Sequence, residues 1–256
     1  MTYGLWLSAG GMQANEYRQS ILANNLANAN TVGFKKDLAV MRERAVESRT
    51  AADGGRFVHP LLDGLSGGTF VAPTMHSFAN GLPETTGNPL DATIKGEGFF
   101  TVRVGNDTRY TRDGRFTVNE KNELVMVAGN GRHKVLDEAG TPIVLLPASA
   151  GRARIAADKT VRQGDTVVAR LGLAEFADRN DLRKVGANLF KNTGDRALPA
   201  TRSMLLPGTV ERSNADPITG LAEMIEVSRA YQLNAQMISL QDTMIGQAVS
   251  RVGRIG

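Results

Sequence analysis

The fold is decided by residues 216–252, which read DPITGLAEMIEVSRAYQLNAQMISLQDTMIGQAVSRV. Asp216 and Pro217 predict a helix start, because a carboxylate caps the free backbone N–H groups and proline is tolerated at the first helical position. No further proline follows in this stretch. The sequence therefore predicts one long helix of about 35 residues, which spans about 50 Å at about 1.5 Å per residue.

The apolar residues of this helix follow a seven-residue repeat with positions a to g, in which every d position from Met224 onward is apolar. The d row is Met224, Tyr231, Ile238, Ile245 and Val252, and the a row is Leu221, Ser228, Ala235, Asp242 and Val249. A narrow row that carries one charge favours close packing of helix on helix over a deep globular core. We therefore predict that these ten residues form an assembly surface and that the helix needs a partner.

A second helix is predicted between residue 2 and about residue 29, where no proline occurs. Gly10 and Gly11 each cost about 1 kcal/mol relative to alanine, so this helix is expected to be marginal alone. Asparagines near residue 30 favour caps and turns, and Gly33 is expected to take a positive φ beyond the helix end. Its apolar seam is thin and partly polar: Leu5, Ala9, Met12, Gln19, Leu22 and Leu26.

Pairing of the two helices would bring both terminal segments together and make the residues between them an inserted domain. The alternative is that both helices cap one globular core, although small and polar seam residues favour an interface with many partners. The predicted segments are the N-terminal helix and motif (1–35), an irregular linker (36–87), a β-rich domain (88–212) and the C-terminal helix (213–256).

The centre of the chain has the alternation and the turn spacing of short antiparallel strands. Residues 99–104 and 108–111 flank a Gly-Asn-Asp turn, and residues 115–118 and 123–126 flank a second turn. The predicted fold class is therefore α+β, with the two terminal helices paired as a coiled-coil-like layer and a mainly antiparallel β domain inserted between them.

Composition excludes several classes of function. The 30 basic and 26 acidic residues are dispersed, and no basic run is interleaved with aromatic residues, so nucleic-acid binding is not expected. The chain has no cysteine, which removes disulfides, thiolate metal sites and thiol nucleophiles. No stretch has the length of a signal-peptide core or a membrane span, so neither a cleaved signal peptide nor membrane insertion is expected.

No group of residues in the sequence predicts a reaction. The three histidines lie in unrelated contexts without ligand spacing, namely His59, His76 and His133. An acid–base site is conceivable around the charged residues Asp91, Asp107, Arg109, Arg112 and Asp113, but carboxylates in hairpin turns ordinarily bond to their own backbone. We predict no enzymatic activity, no metal and no cofactor.

Residues 23–35, ANNLANANTVGFK, resemble the N-terminal signature of the flagellar rod and hook protein family. The matching residues are Ala23, Asn24, Asn25, Leu26, Ala27, Asn28, Thr31, Gly33, Phe34 and Lys35. The segment MIEVSRAY at 224–231 is similar to the C-terminal element of that family, and GNPLD at 87–91, GEGFF at 96–100 and YTRDG at 110–114 are similar to its central blocks.

The resemblance implies a structural subunit of the bacterial flagellar basal body, assembled helically through its terminal helices to transmit torque. Its implied partners are other rod proteins, copies of itself and the flagellar type III export apparatus, which exports the chain without a cleaved signal peptide. The implied location is the basal body, within the periplasmic rod where the cell has two membranes.

Within the family, the stretches 171–176 and 182–190 look more like a proximal-rod member than a distal-rod member. A distal-rod or hook-type axial protein remains an alternative. A carbohydrate-binding or hydrolytic β domain that acts on the cell wall is a further alternative, and it would need a pair of carboxylates in a cleft.

Overall fold

The computed structural model describes residues 2–44, 68–194, 197–200 and 203–252. The chain forms two compact units, and it passes from one unit to the other four times. Unit one comprises Met1–Ala27, Asp37–His76 and Asp216–Gly256, and unit two comprises Asn28–Lys36 and Ser77–Ala215.

Unit one contains two long helices and a two-stranded ribbon. The elements are α1 (Thr2–Ala27), β1 (Asp37–Glu43), β2 (Thr69–His76) and α2 (Pro217–Val252). β1 and β2 pair antiparallel from the Asp37–His76 pair to the Glu43–Thr69 pair.

Both strands of the ribbon fall in the stretch 36–87, which the sequence predicts to be irregular, so part of that prediction is wrong. Residues 45–67 of that stretch lie outside the described residues. Pro73 makes the second strand hard to predict from sequence, because proline has no backbone N–H to donate to a neighbouring strand. It is tolerated here because, among the described strands, β2 pairs only with β1.

The two helices of unit one run antiparallel in one register. A Cβ added to Gly4 would lie 2.7 Å from Nε2 of Gln241, and one added to Gly11 would lie 3.1 Å from Nδ2 of Asn234. Each pair of residues is seven apart, in opposite directions along the two helices. Gly4 and Gly11 thus make room for long amide side chains of α2, whereas a Cβ added to Gly10 would lie 3.7 Å from O of Thr69 in β2.

Unit two is built from short strands. They are β3 (Pro83–Thr85), β4 (Ala92–Lys95), β5 (Phe99–Val104), β6 (Asp107–Thr111), β7 (Phe116–Val118), β8 (Leu124–Met126), β9 (Lys134–Val135), β10 (Ala153–Ile155), β11 (Thr160–Gln163), β12 (Thr166–Arg170), β13 (Leu173–Glu175), β14 (Leu182–Lys184), β15 (Leu189–Asn192), β16 (Leu198–Pro199), β17 (Met204–Pro207) and β18 (Thr209–Glu211). Single 3₁₀ turns lie at Ala148–Ala150 and Arg179–Asp181.

The largest sheet of unit two has nine strands, with the path β14-β15-β6-β5-β9-β8-β7 and with β13 bridging β5 and β16. Smaller sheets are β10-β11-β12, β17-β4 and β18-β3. Every strand pair found among the described residues is antiparallel. Together with the two helices, this confirms the predicted α+β class, and the two predicted hairpins appear as β5–β6 and β7–β8.

The core of unit two has two parts. The main cluster is aliphatic around Phe100 and Phe116, whose rings meet edge to face at 5.0 Å. A second cluster is aromatic and contains Phe99 and Phe190, with ring centroids 5.8 Å apart. Burial of these aliphatic and aromatic side chains supplies the hydrophobic gain that holds the short strands together.

Candidate functional site

The last turns of α1 carry the first half of the 23–35 motif. Asn25 is buried, and its side-chain amide donates to O of Asp37 and accepts from N of Asp37, both at 2.8 Å. These two bonds hold the first residue of β1 to the end of α1 within unit one. The other motif residues on these turns are half-buried or exposed: Leu26, Ala23, Asn24 and Ala27.

The second half of the motif forms a tight loop in unit two. N of Thr31 donates to O of Asn28 at 3.1 Å, and N of Phe34 donates to O of Thr31 at 3.2 Å. Gly33 has a φ of 69°, which confirms the predicted positive φ. A Cβ added there would lie 2.5 Å from N of Asp113, so the backbone of the neighbouring segment leaves room for glycine alone.

The hairpin formed by β14 and β15 packs against this loop. Phe34 is buried, and Nζ of Lys184 lies 4.0 Å from its ring centroid and donates to O of Lys35 at 2.6 Å. Nδ2 of Asn188 donates to O of Val32 at 2.9 Å. A cation over an aromatic face contributes about 0.5–2 kcal/mol, so the contact with Lys184 adds stability as well as position.

Lys35 ends the motif in a cluster of three buried charges. Its Nζ lies 2.6 Å from Oε1 of Glu211, and Nη1 of Arg112 lies 3.5 Å from Oε2 of the same carboxylate. All three side chains are about 1% exposed. One carboxylate therefore compensates two cations, and the cluster keeps one positive charge in excess.

Backbone groups satisfy most of the remaining polar atoms of this cluster. Nζ of Lys35 donates to O of Ala79 at 2.8 Å, and Nη2 of Arg112 donates to O of Gly96 at 2.7 Å. N of Gly81 donates to the carboxylate at 2.7 Å. A buried ion pair costs stability unless such bonds complete it, so these contacts are part of what lets the cluster exist.

Electrostatics make Glu211 the central member of the cluster. Burial lowers the pKa of Lys35, the carboxylate of Glu211 raises it, and the guanidinium of Arg112 lowers it further. Burial also lowers the pKa of Arg112, and Glu211 again opposes that change. The cluster thus ties the motif to a residue 176 positions away in the sequence.

Asn214 makes a second tie close to the motif, in the last residues of unit two before α2. Its Oδ1 accepts from N of Lys36 at 2.7 Å, and its Nδ2 donates to O of Ser77 at 2.8 Å. N of Ser77 in turn donates to O of Lys36 at 2.9 Å. Three segments that are distant in sequence are held together by one amide side chain.

The predicted cap of α2 is confirmed. The carboxylate of Asp216 accepts from N of Ile218 at 3.2 Å and from N of Thr219 at 3.3 Å. A third, shorter bond joins the hydroxyl of Thr219 to the same carboxylate. Capping residues of this kind stabilise a helix by about 0.5–2 kcal/mol.

The predicted a and d rows of α2 differ in their exposure to solvent. The d residues Met224, Tyr231, Ile238 and Ile245 are half-buried, and Val252 lies outside the residues whose side chains are described. Three residues of the a row, Leu221, Asp242 and Val249, are exposed, while Ser228 and Ala235 are half-buried.

The α2 residues that lie against the glycines of α1 are not members of the predicted a row. Asn234 and Gln241, each one residue before a predicted a position, lie against the glycines of α1. The sequence reading placed apolar and small residues at the contact, but two glycines of α1 admit amide side chains there instead. The assembly role predicted for the ten residues of α2 stays a prediction.

The titratable residues considered for catalysis have structural partners. Asp107 pairs with Arg109, and Asp113 pairs with Arg115, both at 2.7 Å. The carboxylate of Asp91 accepts hydrogen bonds from Thr86 and Asn88 at 2.7 and 2.8 Å, as expected of a turn. Arg112 belongs to the buried cluster.

The two histidines that the structure describes lie in different units. Nδ1 of His76 lies 2.7 Å from Oδ1 of Asp37, at the end of the β1–β2 ribbon. His133 lies in unit two, and His59 lies outside the described residues. Within the described part of the chain, no group of three or more His, Cys, Asp or Glu residues could hold a metal ion. Neither described α-helix is long and apolar enough to cross a membrane.

Sequence reasoning missed Glu211, Asn214 and the amide row of α2. Glu211 and Asn214 lie in a short strand and the turn that follows it, where a charged or amide residue ordinarily faces water. No local pattern marks them, because their partners are brought near only by the fold. The one usable signal was the pair of glycines in α1, since helix glycines that are kept at a cost in stability often permit close packing.

Three models of protein families match this chain. Residues 7–35 match the model described as "Flagella basal body rod protein". Residues 93–162 match "Flagellar hook protein FlgE/F/G D1 domain", and residues 206–251 match "Flagellar basal body rod FlgEFG protein C-terminal". The matched ranges contain the whole 23–35 motif, the three charged residues of the buried cluster and most of α2.

Curated relatives are similar over nearly the whole chain. The flagellar basal-body rod protein FlgF of Caulobacter vibrioides is 38% identical over 239 residues, covering 92% of this chain and 91% of its own length. FlgF of Mesorhizobium japonicum is 32% identical, with 99% of each chain covered. The rod protein FlgG of Buchnera aphidicola subsp. Schizaphis graminum is 30% identical, with 96% of this chain and 98% of its own length covered.

Proposed function

The chain belongs to the flagellar basal-body rod protein family and is a structural subunit of the rod, and from that premise we propose that it is a proximal-rod subunit of the FlgF type. Its place is the flagellar basal body, in assembly with other rod components. The terminal helices make the contacts between subunits, and the assembled stack transmits torque.

The observation that carries the assembly proposal is the surface of unit one. α1 and α2 are antiparallel, and α2 leaves large apolar side chains exposed on one face, including Leu233, Leu240 and Met244 at 62%, 55% and 47% exposure. An extended apolar surface of this kind marks an interaction site in a soluble protein. We propose that neighbouring subunits cover it and thereby complete a coiled-coil-like layer of helices.

The length of α2 supports the same proposal. Because Gly4 lies opposite Gln241, the last turns of α2 extend past the first turn of α1. Those turns have no partner helix within the described residues of this chain, and a helix end of that length is marginal in water without one. A neighbouring subunit would supply the partner.

The FlgF assignment is supported by the identities of the relatives. The two FlgF proteins are 38% and 32% identical to this chain, and the FlgG protein of Buchnera is 30% identical. FlgG, the distal-rod protein, is the alternative, and a hook-type axial protein is a further one. The carboxylates considered for catalysis are engaged in turns and ion pairs, so we infer a role without a reaction or a cofactor.

We further propose that the flagellar type III apparatus exports the chain without a cleaved signal peptide, and that it forms part of the periplasmic rod where the cell has two membranes. Its proposed partners are that apparatus, copies of itself and the other rod proteins.

Deletion of the gene, with imaging of basal bodies, tests the structural role. We expect cells without swimming motility, whose basal bodies lack a complete rod while the export gear at the base is retained. Complementation with a chain that carries an epitope in an exposed turn of unit two then locates the protein by immunogold labelling. Label at the base of the rod supports the FlgF type, label at the outer part supports the FlgG type, and complete rods in the deletion strain would contradict the proposal.

A further inference from the structure

One face of α2, which we name the outer row of α2, is exposed along its length. Its members recur at steps of three and four residues, as the residues of one helix face do. The outer row of α2 is Ala222, Glu226, Arg229, Leu233, Met237, Leu240 and Met244, all of them exposed. The last four are 62%, 47%, 55% and 47% exposed, which makes a continuous apolar stripe.

α1 presents a similar face, the outer row of α1, on the side away from α2. It consists of Trp6, Ala9, Gln13, Glu16, Ser20, Ala23 and Ala27, again at steps of three and four residues. All are exposed except Ala9, which is half-buried. Trp6 is the only tryptophan of the chain and is 72% exposed. A lone indole in water beside small residues is a large apolar anchor without a pocket of its own.

The antiparallel register places the two outer rows at matching heights. Since Gly4 lies opposite Gln241 and Gly11 opposite Asn234, Trp6 lies at the height of the turn between Met237 and Leu240. By the same register Glu16 lies at the height of Arg229, and Ala23 lies at the height of Ala222. At matching heights the two outer rows therefore carry complementary groups. An aromatic residue lies level with a methionine-rich stripe, a negative charge lies level with a positive one, and small residues lie level with small residues.

We propose that the outer row of α1 in one copy packs against the outer row of α2 in the next copy. Trp6 then seats between Met237 and Leu240, where thioether sulfur makes favourable contacts with an aromatic ring. Glu16 pairs with Arg229 of the neighbour. This contact rests on the proposed function, because it presupposes that the chain assembles.

The occupant is a second copy of this chain because both halves of the contact are present on one molecule at the same height. Two copies side by side with the same polarity bring α1 of one antiparallel to α2 of the next, which is the arrangement already found within unit one. The contact uses a different surface on each partner, so a joined pair keeps one free outer row of α1 and one free outer row of α2. A head-to-tail contact of this kind can be repeated by further copies and does not stop at a dimer.

The absence of cysteine from the chain makes a disulfide test clean. We would introduce Glu16→Cys and Arg229→Cys into the full chain, express it in a strain lacking its own copy, and oxidise isolated basal bodies. A ladder of covalently linked subunits is expected in reducing-agent-free gels. Each single substitution, and the pair Glu16→Cys with Glu223→Cys, serve as controls that should stay monomeric, since Glu223 is exposed on α2 but lies off the outer row.

The outcomes separate this contact from the proposed function. A double-cysteine protein that is present in rods of swimming cells but forms no ladder would overturn the contact and leave the rod role intact. Absence of the native chain from purified rods would overturn the rod role itself. A ladder of equal strength in the Glu223→Cys control would also overturn the assigned face.

A charge exchange tests the contact without oxidation. Glu16→Arg and Arg229→Glu are each expected to reduce swimming several-fold, and the two together are expected to restore at least half of it. Circular dichroism of each purified variant checks that the helices still form. A double variant that swims no better than the single variants would overturn the proposed pairing.

Discussion

Replacing Glu211 with glutamine is expected to destabilise unit two far more than replacing Lys35 with methionine. In the native cluster one carboxylate compensates two cations, at 2.6 Å and 3.5 Å. Glu211→Gln leaves both cations buried without a counter-charge, and breaking a buried pair in this way costs about 3–5 kcal/mol. Lys35→Met leaves the carboxylate paired with Arg112, so we expect a cost of about 1–3 kcal/mol from the lost charged hydrogen bonds.

Urea unfolding followed by circular dichroism measures both costs. With a slope of about 2 kcal/mol per molar urea, Glu211→Gln should move the midpoint of unit two by about 2 M. Glu138→Gln is a suitable control, because Glu138 and its partner Arg170 are each 56% exposed and 4.0 Å apart, and such surface pairs contribute about 0–1 kcal/mol. If Lys35→Met lowers the free energy of unfolding as much as Glu211→Gln or more, the carboxylate of Glu211 does not compensate both cations.

The same cluster determines whether the stability of the protein rises or falls with pH. Burial lowers the pKa of Lys35 in the folded protein below its ordinary value of 10.5. Between that lowered pKa and 10.5 the unfolded chain binds more protons on this group, so its contribution to stability rises with pH. The stability of the native protein relative to Lys35→Met should therefore rise with pH as the pH approaches 10.5, and a constant difference would show that Lys35 titrates alike in both states.

Three further substitutions test other contacts of the motif and the helices. Gly33→Ala should cost more than about 2 kcal/mol, because its φ of 69° and the adjacent backbone leave no room for a Cβ, and urea midpoints would measure this. Asn25→Ala should cost about 1–3 kcal/mol, because two part-buried hydrogen bonds to the backbone of Asp37 are lost, and unfolding of unit one would report it. Gly4→Ala should leave the helical signal unchanged or lower it, whereas Gly246→Ala, which meets nothing within 4 Å, should stabilise α2 by about 1 kcal/mol in thermal unfolding.

Each of these has an outcome that contradicts its physical reason. Equal stabilisation by Gly4→Ala and Gly246→Ala would mean that the amide of Gln241 does not need the space above Gly4. A Gly33→Ala protein with native stability would mean that the loop relaxes away from its neighbour, and an Asn25→Ala protein with native stability would mean that water replaces both bonds at no cost.

The parts of the fold that depend on local chemistry were predictable from sequence. Asp216 and Pro217 predict the start of α2, and the turn residues between 104 and 108 predict the β5–β6 hairpin. Gly33 was predicted to take a positive φ for the same reason, since only glycine enters that region freely.

The parts that depend on distant residues were not predictable. Lys35 is a recognisable motif residue, but nothing near Glu211 in the sequence indicates that the two charges meet across 176 positions. The contacts of Asn234 and Gln241 were not predictable for a similar reason, because they depend on glycines in the other helix. The β1–β2 ribbon was taken for an irregular linker, since Pro73 interrupts the strand pattern.

The division of unit one into three separate stretches of chain fixes an order of events. When the chain emerges from its N-terminal side, α1 appears before, and α2 appears after, every residue of unit two. The glycines of α1 therefore have no amide side chains to receive until the sheets of unit two have all been delivered. In a chain that appears from its N-terminus, the pair of α1 and α2 is therefore the last part of unit one that can form.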